Sequence, residues 1–142
     1  MTTPQITKLN SGSPMETRDS YSRLVVVDNW IFGSLTAGRN YQTRELSPDP
    51  AEQARQCIAN IKGALEAVGS GLADVVRANI VIPSREDIPV VLPVVAEAFR
   101  GIDPANVLTC APLSLADFKV EIDITAYRGA GAAPQQRLKV TL

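Results

Sequence analysis

Lys119-Val120-Glu121-Ile122-Asp123-Ile124-Thr125-Ala126 alternates polar and apolar residues without a break. A period of two marks a β-strand with one buried face, because successive side chains leave opposite sides of the chain. Val120, Ile122, Ile124 and Ala126 therefore look toward a core, and Glu121, Asp123 and Thr125 look away from it. The apolar side needs a cover, and the longest amphipathic segment supplies one. Between Pro50 and Val68, residues Ala54, Cys57, Ile58, Ile61, Leu65 and Val68 recur at intervals of three and four and form one stripe, while Glu52, Arg55, Lys62 and Glu66 fall elsewhere. Ser47 or Asp49 can cap the start of this helix, and Gly69 and Gly71 end it. Cys57 lies on the buried stripe and reads as an inert core thiol.

Working outward, Leu24-Val25-Val26-Val27 and Trp30-Ile31-Phe32 flank Asp28-Asn29, the signal of a hairpin. Residues 35–49 read as a polar connection. Asp74 to Pro83 predicts a strand stopped by proline, and a second helix follows from about Glu86 to Arg100. Pro89 suits a first turn, but Pro93 lacks a donor and clashes with the turn before it, so this helix is expected to start late or kink. Pro104 to Pro112 predicts a strand with Asn106, Leu108 and Cys110 on one face. Residues 1–20 predict an extended arm with a short strand around Ile6–Leu9, and residues 129–142 a flexible tail or an added edge strand. The order of elements gives an α+β fold, a mixed sheet with two helices packed on one face. Glu121, Asp123 and Thr125 mark the other face, which is solvated in a monomer or lines a junction in an oligomer.

A chain of 142 residues supports a single domain spanning 1–142. Fourteen basic residues against fifteen acidic ones give a net charge of −1, and the cations are scattered, so nucleic acid is not the expected partner. No apolar run reaches the ~20 residues of a membrane-spanning helix. Cys57 and Cys110 lie far apart in a chain with no apolar leader, which is the expectation for free thiols in the cytoplasm. The chain has no histidine. The commonest neutral-pH base and metal ligand is thus missing, a Ser-His-Asp triad is excluded, and two distant cysteines do not make a zinc site. No glycine-rich phosphate cradle is present. The expectation is chemistry without metal or cofactor, carried by carboxylates, hydroxyls, thiols or backbone.

Several strings, taken in order, resemble the reactive-intermediate deaminase family, also called the YjgF or Rid family, over roughly Tyr21 to Tyr127. They are Tyr21-Ser22-Arg23, Ile31-Phe32-Gly33-Ser34, Gln53-Ala54-Arg55-Gln56 running to Asn60-Ile61 and Ala64-Leu65, Asp74-Val75-Val76-Arg77, Ala98-Phe99, Pro104-Ala105 and Val120-Glu121-Ile122-Asp123. The resemblance implies a chorismate-mutase-like fold assembled as a homotrimer, with an inner β-barrel and small-molecule clefts between subunits. It also implies hydrolysis of enamines and imines. Tyr21, Ser34 and Glu121 match positions of active members, and Glu121 matches the acidic residue that positions or activates water, so it is the catalytic candidate.

The departures fall at the substrate-binding candidates. Active members carry an arginine directly after Pro-Ala to bind the substrate carboxylate, and here that position is Asn106, which can hydrogen-bond but has no charge. The usual Ser-Gly of the hairpin reads Ser34-Leu35. The family cysteine position is Leu108, and Cys110 lies two residues further on. The functional expectation is therefore a hydrolase acting on imines or enamines, an imine deaminase of altered specificity. Its alternative is a non-catalytic trimer whose clefts bind a small metabolite or whose surface binds a partner protein.

Overall fold

In a computed structural model that describes all residues 1–142, the alternating segment is strand β7 (Glu121–Tyr127, numbered in chain order) of one mixed sheet. Before it come β1 (Ile6–Leu9), α1 (Pro14–Arg18), β2 (Leu24–Val27), β3 (Trp30–Gly33), β4 (Thr36–Ala37), α2 (Pro50–Ala67), β5 (Val75–Val81), α3 (Ile88–Ala98) and β6 (Ala105–Thr109). The sheet order is β1-β2-β3-β7-β5-β6, with β4 also paired to β7. The β5–β6 pair is parallel and all others are antiparallel. The parallel pair follows from α3, since parallel neighbours need a crossover and a helix is its usual form.

Ile122, Ile124 and Ala126 are buried, and their antiparallel partners Ile80 and Ala78 on β5 lie on the same side. Ala54, Cys57, Ile61 and Leu65 of α2 and Val91 and Val95 of α3 close that side into one core. Each fully buried Ile or Leu contributes on the order of 1.5–3 kcal/mol by leaving water. Asp49 caps α2 by accepting from the Ala51 N–H at 2.9 Å. Arg85–Asp87 forms a 3-10 turn and α3 begins at Ile88, with Pro89 in its first turn, but it does not start late enough to spare Pro93, which falls inside the helix.

Three features depart from the sequence reading. Residues 14–18 form a helix, and Ser13 and Glu16 are buried. The connection after the hairpin contains β4, and an isolated bridge joins Arg39 to Leu46. The face of the sheet away from the helices is not only polar. Beside Glu121, Asp123 and Thr125 it carries Trp30 and Phe32, which are nearly half exposed, and Tyr127, whose ring meets Trp30 edge-on with centroids 5.0 Å apart. Residues 133–142 have no regular element and are exposed, and no helix is long and apolar enough to cross a membrane.

Two buried polar residues of α2 hold the loops in place. Gln53 donates to the carbonyls of Ser47 (2.8 Å) and Asp117 (2.9 Å) and accepts from the Lys119 N–H (2.8 Å). Asn60 donates to the carbonyls of Ala37 (3.1 Å) and Arg39 (2.9 Å). The helix thereby fixes both sides of the mouth from which β7 emerges.

Candidate functional site

Glu121 is the first residue of β7, and its register partners are Ala37 on β4 and Val81 on β5. The side chain is half-buried, and burial raises its pKa above the usual carboxylate value, with the Arg23 charge pulling the other way. It lines a cleft of about 180 Å³ together with Tyr21, Arg23, Leu35, Arg39 and Tyr41.

Arg23 organises this cleft, although the sequence offers it only as part of a matching string. Its Nε and Nη2 donate to Glu16 Oε2 at 3.2 and 3.1 Å, and its Nη1 donates to the carbonyl of Leu35 (2.7 Å) and the hydroxyl of Thr36 (3.1 Å). The Glu16 side chain has no exposure and that of Arg23 only 6%, so this ion pair is taken out of water and survives because its hydrogen bonds are filled. Glu16 is completed by the Ser11 N–H at 2.8 Å and by the Ser11 hydroxyl. The rings of Tyr21 and Tyr41 lie 5.5 and 6.0 Å from the guanidinium carbon, cation–π distances. Burial raises the Tyr41 pKa, so its phenol stays protonated.

Tyr21, Leu35 and Glu121 thus meet in one cleft. Ser34 stands beside it, its hydroxyl donating to the Ser22 carbonyl at 2.7 Å. Asn106, Leu108 and Cys110 are elsewhere. Asn106 and Leu108 pair in register with Ala78 and Ile80, so they lie on the helix side of the sheet, at its free edge, and Asn106 borders a hollow lined by Leu92 and Val95 of α3 and by Phe99 and Arg100 just after it. Strand β5 separates β6 from β7, which places β6 about 10 Å from β7. Cys110 lies just past β6, exposed, with its thiol 3.4 Å from the Pro83 carbonyl. Cys57 is fully buried against the carbonyl of Thr36 (3.1 Å), and burial pushes its thiol pKa far up, which makes it inert at neutral pH.

Sequence reasoning missed Glu16, Tyr41, Arg39 and Arg44. Glu16 lies in a segment read as an extended arm, and the other three fall in a polar loop with no periodicity. What the cleft offers chemically is a carboxylate of raised basicity beside a fixed guanidinium, with phenol and hydroxyl groups around it.

The sequence matches the family model described as Endoribonuclease L-PSP over residues 12–128. Among curated relatives, a protein of Dermatophagoides farinae named 2-iminobutanoate/2-iminopropanoate deaminase is 36% identical over 87 residues, 61% of this chain and 68% of that one. A Bos taurus protein of the same name is 30% identical over 110 residues, 77% of this chain and 80% of that one. Among solved structures, a Mycobacterium tuberculosis member of the YjgF/YER057c/UK114 family superposes with TM-score 0.78 at 31% identity, covering 87% of this chain and 99% of that one. The E. coli YjgF gene product gives 0.77 at 27% identity, covering 86% and 98%.

Proposed function

The chain belongs to the endoribonuclease L-PSP family, the family also called YjgF or Rid, and from that premise we propose that it is an imine or enamine deaminase working at a junction between subunits. The observation that carries this reading is Glu121, a half-buried carboxylate of raised pKa on the wall of a small cleft. Relatives covering most of their own length bear the name of an imino acid deaminase, which supports the reaction class.

The chemistry asks little of the protein. Water adds to the imine carbon while Glu121 takes its proton. Glu121 returns that proton to the nitrogen, which completes the carbinolamine. The carbinolamine collapses as Glu121 passes the hydroxyl proton to the nitrogen, which leaves as ammonia and gives a carbonyl compound. A carboxylate whose pKa is raised toward neutrality is a better proton acceptor and, once protonated, still a competent donor. The rest of the acceleration comes from holding water and imine together, and the sequence of steps needs no metal or cofactor.

Glu121, Tyr21, Ser34 and Leu35 form one half of the site in this reading. The other half, with Asn106, Leu108 and Cys110, comes from a neighbouring subunit of a homotrimer. Two features support that arrangement. The β6 residues are exposed at a sheet edge and point away from their own Glu121, and Trp30, Phe32 and Tyr127 leave an apolar band in solvent, as surfaces that become interfaces do. Cleavage of RNA has less support, since a chain without histidine and with a net charge of −1 lacks both the usual base and the cationic surface.

The test is ammonia release from imines generated in situ by an amino acid or amine oxidase, with the wild type and with Glu121→Gln. Acceleration by the wild type that disappears in the variant supports the reading. If no imine, with or without a carboxylate, is hydrolysed faster than in buffer, the reading fails and a binding role at the same clefts takes its place.

A further inference from the structure

Two guanidinium groups in the Glu121 cleft have no carboxylate partner. Arg39 follows β4 and Arg44 lies five residues later in the same loop, and both line the cleft with Glu121, Tyr21 and Phe118. The ion pairs of the molecule involve neither of them. The third arginine of the cleft, Arg23, is already occupied by Glu16, Leu35, Thr36 and Tyr21. With Glu16 neutralising Arg23, the cleft is left with two cations against Glu121 alone.

Arg39 is held in place, whereas the Arg44 side chain is exposed and only its backbone is fixed. Arg39 Nη1 donates to the Arg44 carbonyl at 2.8 Å, which occupies one of its five N–H groups, and its guanidinium carbon lies 5.7 Å from the Phe118 ring centroid. The loop is closed by the Asn40 N–H on the Glu45 carbonyl and the Arg44 N–H on the Asn40 carbonyl, both at 2.9 Å, and Asn60 of α2 pins the Arg39 carbonyl. Arg44 has a left-handed backbone, φ 65°, which turns its carbonyl back to Arg39. The acids nearest in sequence do not quench the pair: Glu45 bonds Thr43, and Asp117 faces Arg39 and Lys119 from a separate hollow without an ion pair.

We propose that Arg39 and Arg44 form the anion anchor of the cleft, binding the carboxylate of an imino acid from the same subunit as Glu121 and supplying the charge that residue 106 lacks. The inference rests on the deaminase reading for the substrate's imine, but the anchor itself needs only an anion. A planar guanidinium binds a carboxylate with two parallel hydrogen bonds, and one held half-buried loses less freedom in doing so. The substrate class that follows is a small 2-imino acid, with its carboxylate toward the loop and its imine carbon toward Glu121.

Two measurements separate this anchor from the reaction. The first is titration of 2-oxobutanoate, the keto acid that hydrolysis of 2-iminobutanoate yields, followed by ligand-detected NMR. Wild type and Glu121→Gln should bind it, and Arg39→Gln and Arg44→Gly should each weaken binding about tenfold or more, the loss of one charged hydrogen-bonding group. Arg44→Gly suits the left-handed backbone, so a loss there reports the side chain and not a misfolded loop. The second is the ratio of kcat/KM for 2-iminobutanoate to that for a carboxylate-free imine of similar size, which should fall about tenfold in both variants, with Arg44→Lys recovering part of the loss. Keto acid binding that is absent in the wild type, or equal in all four proteins, overturns the proposal. Binding that depends on both arginines in a protein that hydrolyses no imine keeps the anchor and removes the deaminase reading.

Discussion

At the residue scale, the charge of Glu121 is where function and stability oppose each other. Its folded pKa is raised, so the folded state favours the protonated form more than the unfolded chain does. Its contribution to stability is therefore full below the unfolded pKa, about 4.3, and is lost as pH rises through the higher folded value. Glu121→Gln should accordingly abolish imine hydrolysis and yet raise the melting temperature at pH 7, a gain that shrinks toward zero below about pH 4. In the wild type, activity should fall as acid titrates Glu121, with the acidic limb of the kcat profile above the ordinary glutamate range. A limb at or below that range would detach the rate from this carboxylate. The Glu16–Arg23 pair gives a second expectation. Glu16→Gln leaves a buried guanidinium uncompensated and should cost about 3–5 kcal/mol in urea unfolding, whereas Glu16→Gln with Arg23→Met should cost clearly less than the sum of the two single changes.

Among the elements, β4 and α2 set the shape of the site. β4 is only two residues long, yet it pairs with β7 at the level of Glu121 and passes so close to α2 that Gly38 has no room for a side chain. A Cβ at Gly38 would lie 2.6 Å from the Gln53 Cα, and backbone cannot move aside as a side chain can. Gly38→Ala should destabilise by about 1–3 kcal/mol and, by pushing the loop off α2, should also disturb the cleft. An unfolding midpoint equal to wild type would mean that the loop sits farther from the helix. The helix itself was legible in the sequence, because an amphipathic stripe over five turns is a strong signal. Gln53 and Asn60 were legible only as members of matching strings. That they are buried, and that they tie α2 to the loops on both sides of β7, depends on partners distant in the chain, such as Asp117 and Lys119 for Gln53.

For the whole molecule, the proposed trimer makes each active site the joint product of two chains. The mass in solution, measured by light scattering, should be three times that of the 15.2 kDa chain, and replacing Trp30 and Phe32 by lysine should lower it while leaving the core intact. Subunit mixing tests the shared site directly. Two inactive variants, Glu121→Gln and a Leu108→Arg chain with its β6 edge blocked, should regain part of the activity when dissociated and reassembled together. In every mixed trimer one of the two mixed junctions pairs an intact Glu121 with an intact β6 edge. No recovery from mixed trimers of verified composition would put the whole site within one chain.

The sequence by itself determined the pattern of the main elements. Alternation placed the inward side of β7, helical periodicity placed the inward side of α2, the paired apolar runs gave the hairpin, and Pro89 marked the first turn of α3. These signals are local, carried by neighbouring residues whose spacing alone fixes which face is buried. It also determined, through the strings around Glu121 and Tyr21, which residues deserved attention as a site. Only the tertiary structure decided what that site contains. Glu16 reaches Arg23 across a turn that no periodicity marks, and Arg39 and Arg44 become cleft residues because Asn60 and the Asn40 turn fold their loop back over β7. Asn106 and Glu121, which the resemblance joins in one cleft, stand on opposite faces of a single sheet, since strand register sets the direction of a side chain and is fixed only when the strands have paired.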